Sequence, residues 1–182
     1  MKDAYKKLLL ELMVHSRRSD RLLARELGLS QPTVTRARQW LEANGYIVEY
    51  SLIPNFSKIG LELVAFSFIR LRSRGNGEKY EEIKKRASNY FNTYSNVVMA
   101  LRGEGMGCDG IVVSLHKSFA EFTRFMKKLK TESADTEVVG SFLASLEDSG
   151  QYRHLTFRGL KTYLGANPEQ VADTVGAIEL SH

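Results

Sequence analysis

Apolar residues recur at helical spacing through the first third of the chain. Between residues 2 and 15 they fall at steps of three and four, which predicts an amphipathic helix. Ser19 and Ser30 each precede a further helical segment as capping residues, and Gly28 supplies the left-handed residue that ends the earlier one. Pro32 suits the first turn of the later helix, because its missing N–H has no helical partner there.

The short turn Gly28-Leu29-Ser30 joins two of these helices, and this spacing is typical of a helix-turn-helix. Residues 46–52 are rich in β-branched and aromatic side chains and are closed by Pro54, which predicts the strand hairpin of a wing. We therefore predict a winged helix-turn-helix DNA-binding domain over residues 1–54. Residues 55–60 are interpreted as a connector.

The second half of the chain changes to the alternating pattern of strands. Strands are predicted at residues 61–72, 96–101, 110–116 and 138–146. An apolar helical stripe lies between the first two strands, and Ser118 with Glu121 forms a capping box ahead of a second helix. The order β-α-β-β-α-β predicts a ferredoxin-like antiparallel sheet with both helices on one face. The predicted fold is α+β, with this domain over residues 61–165 and an acidic tail over residues 166–182.

The predicted strands are apolar on both faces, although the two helices can cover only one face. A second copy of the chain would offer the same apolar face to itself, so we predict a homodimer, with further assembly left open. In a competing interpretation the tail folds over the open face, and residues 152–157 add an edge strand.

The charge of the chain favours an anionic partner. The formal net charge is +5 and the pI is near 9.3. The predicted helix-turn-helix carries an excess of basic residues, opposed only by Asp20 and Glu26, and such clustering is typical of a surface that neutralises phosphates. These basic residues are Arg17, Arg18, Arg21, Arg25, Arg36 and Arg38.

Other compositional features favour a cytoplasmic location. A single cysteine excludes an intramolecular disulfide framework and fits a reducing compartment. The apolar run near the start is interrupted by Glu11 and lacks a small-residue cleavage site, so we expect no secretory signal. No apolar run approaches the roughly 20 residues that span a bilayer, so no membrane partner is expected.

The third predicted helix presents polar groups opposite Val34, Ala37 and Leu41. Arginine can pair with guanine and glutamine with adenine in the major groove, which makes Arg36 and Gln31 the best candidates for reading bases. The alternative is the solvated polar face of a structural helix. The predicted DNA-binding residues are Arg17, Arg18, Ser30, Gln31, Pro32, Thr33, Thr35, Arg36, Arg38 and Gln39.

Residues 105–110 match the G-x-G-x-x-G spacing of a dinucleotide loop, which requires a helix after it. A strand is predicted there instead, so we interpret the segment as a glycine-rich hairpin whose backbone a small molecule can approach. Cys108 has no histidine near it in sequence, and the histidines lack metal-ligand spacing. We expect no catalytic residue, no metal and no cofactor.

Several short segments of the first 72 residues resemble the leucine-responsive and asparagine regulators, the Lrp/AsnC transcription factors. The resemblance covers residues 5–72, and residues 61–147 are similar in element order. It implies a DNA-binding dimer that binds effector amino acids between C-terminal domains. Asp109 resembles an acidic residue of the family's effector loop, so Gly105, Gly107 and Asp109 are the candidate effector residues. The segments that carry the resemblance are Leu29-Ser30, Val34, Leu41-Glu42, Gly45-Tyr46-Ile47 and Ile59-Gly60.

The sequence therefore favours a sequence-specific regulator of transcription over an enzyme. One alternative is an enzyme similar to siroheme decarboxylases, which have the same architecture. The basic, polar first turn from Gln31 to Arg36 argues against it, because an enzyme would not need this turn. Another alternative is a protein-interaction module that does not bind DNA.

Overall fold

The computed structural model describes residues 1–72, 78–132, 135–147 and 150–165. The chain divides into two compact units. The first combines residues 1–53 with the segment that begins at Leu155, and the second spans Pro54–His154. Each unit has a hydrophobic core of its own.

The first unit contains the three predicted helices, which are α1 (Asp3–Val14), α2 (Asp20–Leu27) and α3 (Gln31–Ala43). Local sequence signals fix their ends. The hydroxyls of Ser19 and Ser30 accept hydrogen bonds from the backbone N–H groups of Leu22 and Thr33, and Gly28 is left-handed with φ 64°. The predicted capping is therefore confirmed. The buried core of the unit consists of Leu8, Leu12, Leu23, Ala24, Val34, Ala37 and Leu41.

The predicted strand hairpin of the wing was wrong. Residues 46–53, all of which the structure describes, form no strand. A hairpin needs two strands that pair across a turn, and this segment instead bonds back to α3 through the N–H groups of Tyr46 and Ile47 on the carbonyl of Leu41. Trp40 packs between the rings of Tyr5 and Tyr46, at centroid distances of 5.0 and 5.2 Å. Aromatic packing thus replaces strand pairing here.

The second unit begins with a short 3-10 turn at Ser57–Ile59 and has the predicted β-α-β-β-α-β order. The elements are β1 (Leu63–Leu71), α4 (Glu78–Asn92), β2 (Val97–Gly105), β3 (Cys108–His116), α5 (Phe119–Glu132) and β4 (Thr136–Ser145). The four strands form an antiparallel sheet in the order β2-β3-β1-β4. In the capping box, Ser118 Oγ accepts the N–H of Glu121, whose carboxylate accepts the N–H of Lys117. The ferredoxin-like prediction is confirmed.

Both helices pack on one face of this sheet. Ile69 and Val112 of the strands share a buried cluster with Phe91 of α4 and with Phe125 and Leu129 of α5. Along β1 the buried residues alternate with half-buried ones, as expected when one face of a strand carries the core.

The opposite face of the sheet is apolar, and we call it the open face. Phe66 of β1 pairs with Val113 of β3 and with Phe142 of β4, and the two phenylalanine rings lie 6.3 Å apart. Phe142 is 63% exposed. None of the described helices of this unit covers these side chains. The open face is defined by Phe66, Phe68, Met99, Leu101, Val113 and Phe142.

One predicted boundary differs from the structure. Residues 155–165 were assigned to the second domain, whereas α6 (Arg158–Gly165) packs on α1 in the first unit. Lys161 of α6 pairs with Glu11 of α1 at 2.6 Å, a long-range contact that local sequence does not reveal. The described residues 152–157 form no edge strand. The predicted acidic tail, residues 166–182, lies outside the described residues. None of the helices in the described ranges has the length and hydropathy that a membrane span requires.

Candidate nucleic-acid interface

Helix α3 buries one side and exposes the other. Val34, Ala37 and Leu41 are fully buried in the core of the first unit. The predicted base-reading residues, Arg36 and Gln31, lie on the exposed side, where Arg36 Nε donates to the carbonyl of Pro32 at 3.3 Å. We call this surface the outer face of α3, and it consists of Gln31, Pro32, Arg36 and Gln39.

Two predicted DNA-binding residues at the N-terminal end of α3 bond to each other. The hydroxyls of Ser30 and Thr33 lie 2.7 Å apart, and Ser30 Oγ also accepts the backbone N–H of Thr33 at 3.3 Å. Ser30 is exposed and Thr33 is half-buried beside the outer face. The hydroxyl of Ser30 thus caps the N-terminal end of α3, and the hydroxyl of Thr33 bonds to it there.

Arg38 and Thr35 are held by Asp20 of α2. Nε and Nη2 of Arg38 lie 2.8 and 2.7 Å from Oδ1 of Asp20, and the hydroxyl of Thr35 donates to Oδ2 at 2.7 Å. Nη1 and Nη2 of Arg38 also donate to Tyr50 Oη and to the carbonyl of Arg18. Burial lowers the pKa of Arg38, but the hydrogen bonds to Tyr50 and Asp20 outweigh it and raise that pKa overall. These contacts hold the guanidinium of Arg38 against α2.

The two arginines before α2 differ in their surroundings. Arg17 is exposed and has no ion pair among the described residues. Arg18 is half-buried, and its Nη1 pairs closely with Glu26 and lies 3.7 Å from Glu11 Oε2. Arg17 is thus the more available of the two for a phosphate, and Arg18 is partly neutralised.

Asp20 and Tyr50 hold the side chain of Arg38 in place, and the sequence analysis did not predict this role for either residue. Asp20 had been counted only as a charge opposing the arginines, and its partner Arg38 lies 18 positions away. Tyr50 accepts from Arg38 at 3.2 Å and donates to Glu42 Oε1 at 2.8 Å. These are tertiary contacts, so neither helical spacing nor a capping pattern could have indicated them.

The glycine-rich segment 105–110 is a hairpin between β2 and β3. Gly105 pairs with Cys108, and the two residues between them have positive φ, 51° for Met106 and 71° for Gly107. Two successive positive φ angles are typical of a type I′ turn. The predicted hairpin is confirmed, and a strand follows where a dinucleotide loop would need a helix.

Asp109 lies beside a cavity of about 540 Å³ between α4 and β2. Its carboxylate accepts the backbone N–H of Leu71 at 2.8 Å, while Arg70 Nε donates to the carbonyl of Gly107 at 2.8 Å. The predicted effector residues are therefore only partly brought together, since Asp109 lines the cavity and Gly105 and Gly107 do not. Apolar lining residues include Ile69, Phe91, Val97 and Ala100. In the described ranges, no group of three or more His, Cys, Asp or Glu side chains could hold a metal ion.

Comparisons with known proteins agree with the folds described for the two units. Residues 5–48 match the family model described as winged helix-turn-helix DNA-binding. An AsnC family transcriptional regulator from Agrobacterium tumefaciens superposes with a TM-score of 0.68 at 23% identity, over 86% of this chain and 95% of that one. LrpC of B. subtilis superposes with a TM-score of 0.65 at 21% identity, over 85% of this chain and 96% of that one. The chain has the AsnC/Lrp fold.

A third structure with this AsnC/Lrp fold is the transcriptional regulator NMB0573 from Neisseria meningitidis, solved as a complex with L-Met. It superposes with a TM-score of 0.64 at 17% identity, over 88% of this chain and 99% of that one. No curated protein sequence matches the chain significantly. The AsnC/Lrp fold thus accounts for the order of the elements, from the helix-turn-helix to the four-stranded sheet.

Proposed function

We propose that the chain is a regulator of transcription that binds double-stranded DNA in a sequence-specific manner as a homodimer. The observation that carries the proposal is the outer face of α3. Arg36 and Gln31 are exposed there, while the opposite side of the helix is fixed in the core by fully buried side chains. A rigid helix with exposed guanidinium and amide groups suits the edges of bases in the major groove.

In this proposal the outer face reads the bases and its flanks bind the backbone. Arg36 would pair with guanine and Gln31 with adenine, because each side chain matches the hydrogen-bonding edge of that base. Arg17 and Arg18 would bind phosphates, which set the register of the protein on the duplex without reading sequence. Arg38 contributes indirectly by fixing α3 against α2.

The open face supports the homodimer. Phe142 of β4, Phe66 of β1 and Met99 of β2 lie on this face and form an apolar surface that a second copy can cover with the same residues. Two copies related by a two-fold axis would present two recognition helices. Their half-sites would then lie about one helical turn of DNA apart, or a multiple of it.

The cavity beside Asp109 supports an effector-binding role for the second unit. Its volume of about 540 Å³ suits a small molecule, and its lining is mainly apolar. The complex of NMB0573 with L-Met gives a precedent on the same fold. We propose a small amino acid as the class of effector. Its binding would change the arrangement of the two subunits, and thereby the affinity for DNA.

Selection of genomic fragments by the purified full chain, followed by gel-shift titration at several salt concentrations, tests the proposal. The Gln31→Ala/Arg36→Ala variant should lose preference for the selected fragments, whereas Arg124→Ala, an exposed arginine on α5, should keep it. Failure to enrich any fragment would contradict DNA recognition. A tetrapyrrole that co-purifies and absorbs visible light would instead support the enzyme alternative.

A further inference from the structure

Helix α6 contributes one cation to a group of four charges in the first unit. Lys161 Nζ lies 2.6 Å from Glu11 Oε1, and the side chain of Glu11 is only 17% exposed. The other oxygen of Glu11 lies 3.7 Å from Nη1 of Arg18, which also pairs with Glu26. We call Lys161, Glu11, Arg18 and Glu26 the four-charge cluster.

The cluster is electrically balanced only because Lys161 belongs to it. Two carboxylates face two cations, so the formal charges cancel. Without Lys161, Arg18 alone would face both Glu11 and Glu26, and the cluster would carry a net negative charge. The low exposure of Glu11 limits the screening of that charge by water.

The four-charge cluster lies beside α3, the proposed recognition helix. Arg38 of α3 donates from Nη2 to the carbonyl of Arg18 at 3.3 Å, so the backbone of Arg18 is in direct contact with that helix. Contacts of basic side chains with phosphates at the flanks of a recognition helix fix its register. An unbalanced negative charge at this position would repel a phosphate and hold Arg18 to the protein.

We propose that Lys161 is a positioning residue for DNA binding, which neutralises Glu11 and thereby leaves Arg18 available to a backbone phosphate. The inference rests on the proposed function, in which Arg18 contacts DNA. Lys161 itself need not touch the duplex, because it acts through Glu11. The C-terminal helix then belongs to the DNA-binding machinery even though it lies outside the helix-turn-helix.

Gel-shift titration of the full chain against a selected fragment and a random duplex tests this role. Lys161→Met should weaken binding to both duplexes about two- to five-fold at low salt, the range expected for a partly exposed ion pair. Arg158→Met is the matched control, since it removes one exposed cation from the same helix without touching Glu11. Its effect should be clearly smaller.

A second substitution separates charge balance from packing. Glu11→Gln removes the carboxylate that Lys161 neutralises, so Glu11→Gln/Lys161→Met should recover the binding that Lys161→Met loses. Thermal unfolding is measured in parallel on every variant. If both Lys161 variants lose DNA affinity in step with their unfolding temperature, Lys161 only stabilises the fold and the inference is overturned.

Two further outcomes bear on the inference. Equal losses in Lys161→Met and Arg158→Met would mean that α6 supplies only general positive charge, which overturns it. Normal binding by Lys161→Met would overturn it as well. If the unsubstituted chain bound no DNA at all, the proposed function itself would fail, and this result is distinct from the others.

Discussion

Asp20 and Arg38 join the two helices of the helix-turn-helix through a pair of short contacts. Oδ1 of Asp20 lies 2.8 Å from Nε and 2.7 Å from Nη2 of Arg38. The two side chains are only 20% and 18% exposed, so water weakens their attraction less than it would at the surface. Thr35 binds the second oxygen of Asp20 and completes the contact.

Loss of this pair should destabilise the first unit. Arg38→Met leaves the carboxylate of Asp20 without its cation, and we expect the free energy of unfolding to fall by about 1–3 kcal/mol. Denaturant unfolding measures the change. Arg25→Met, an exposed arginine on α2, is the control and should alter stability much less. An equal effect of the two substitutions would contradict the role given to the pair.

Arg36 and Arg17 should affect DNA binding in different ways. Arg36→Ala should reduce discrimination between cognate and random duplexes by about 1–3 kcal/mol, because a bidentate contact with a base is lost. Arg17→Ala should weaken binding to both duplexes alike and reduce the slope of log K against log salt by about one. Titrations at several salt concentrations measure both quantities. The assignment fails if the two variants behave identically.

The open face predicts a specific dependence of assembly on Phe142. A charge at this position would be buried without a partner in a dimer, so Phe142→Glu should weaken self-association by about 2 kcal/mol or more. Analytical ultracentrifugation over a concentration series measures it. Phe119, at the start of α5, has the same exposed fraction of 63%, so Phe119→Glu is a matched control. Dimers that tolerate Phe142→Glu would exclude this face as the interface.

His116 predicts a pH dependence of stability. Its ring is fully buried, Nε2 lies 2.9 Å from Ser114 Oγ, and Nδ1 has no hydrogen-bond partner among the described residues. Burial lowers the pKa of His116, and the smaller opposing effect of Glu121 does not cancel it. In the unfolded chain the imidazole of His116 is exposed to water and takes up a proton near pH 6.5. Stability should therefore be fully present above that pH and decrease below it, as the pH falls toward the depressed pKa.

Unfolding measured between pH 8 and pH 5 checks this dependence. His116→Gln should flatten the curve below about pH 6.5, because the titrating ring is gone while a side chain that can bond to Ser114 remains. His154, which is exposed, supplies the control His154→Gln. A curve unchanged by His116→Gln would refute the assignment.

Local signals predicted most of the fold, and the errors fall where distant residues decide the structure. Ser19, Gly28 and Ser30 determine helix ends by contacts within a few residues, so their pattern could be read directly. The alternation along β1 predicted the strand for the same reason, but because both of its faces are apolar it did not predict which face is buried. The hairpin at residues 46–52 was wrong because strand formation depends on a pairing partner, which the composition of a segment does not supply.

The predicted DNA-binding residues show the same limit. The outer face of α3 followed from helical periodicity, since exposure along a single helix repeats with its turn. The pairing of Arg38 with Asp20 could not be predicted from periodicity, because it joins two different helices. Helix α6 was missed because its docking on α1 depends on Lys161 and Glu11, which are 150 positions apart.

The two sides of α3 bear on how such a protein can change over generations. Gln31 and Arg36 point outward, while Val34 and Arg38 hold the helix in place. Substitutions at the outward positions leave the scaffold intact, so under the proposed function a duplicated gene could acquire new target sites through very few changes. Copies that diverge in this way would keep a common framework while each controls a different set of genes.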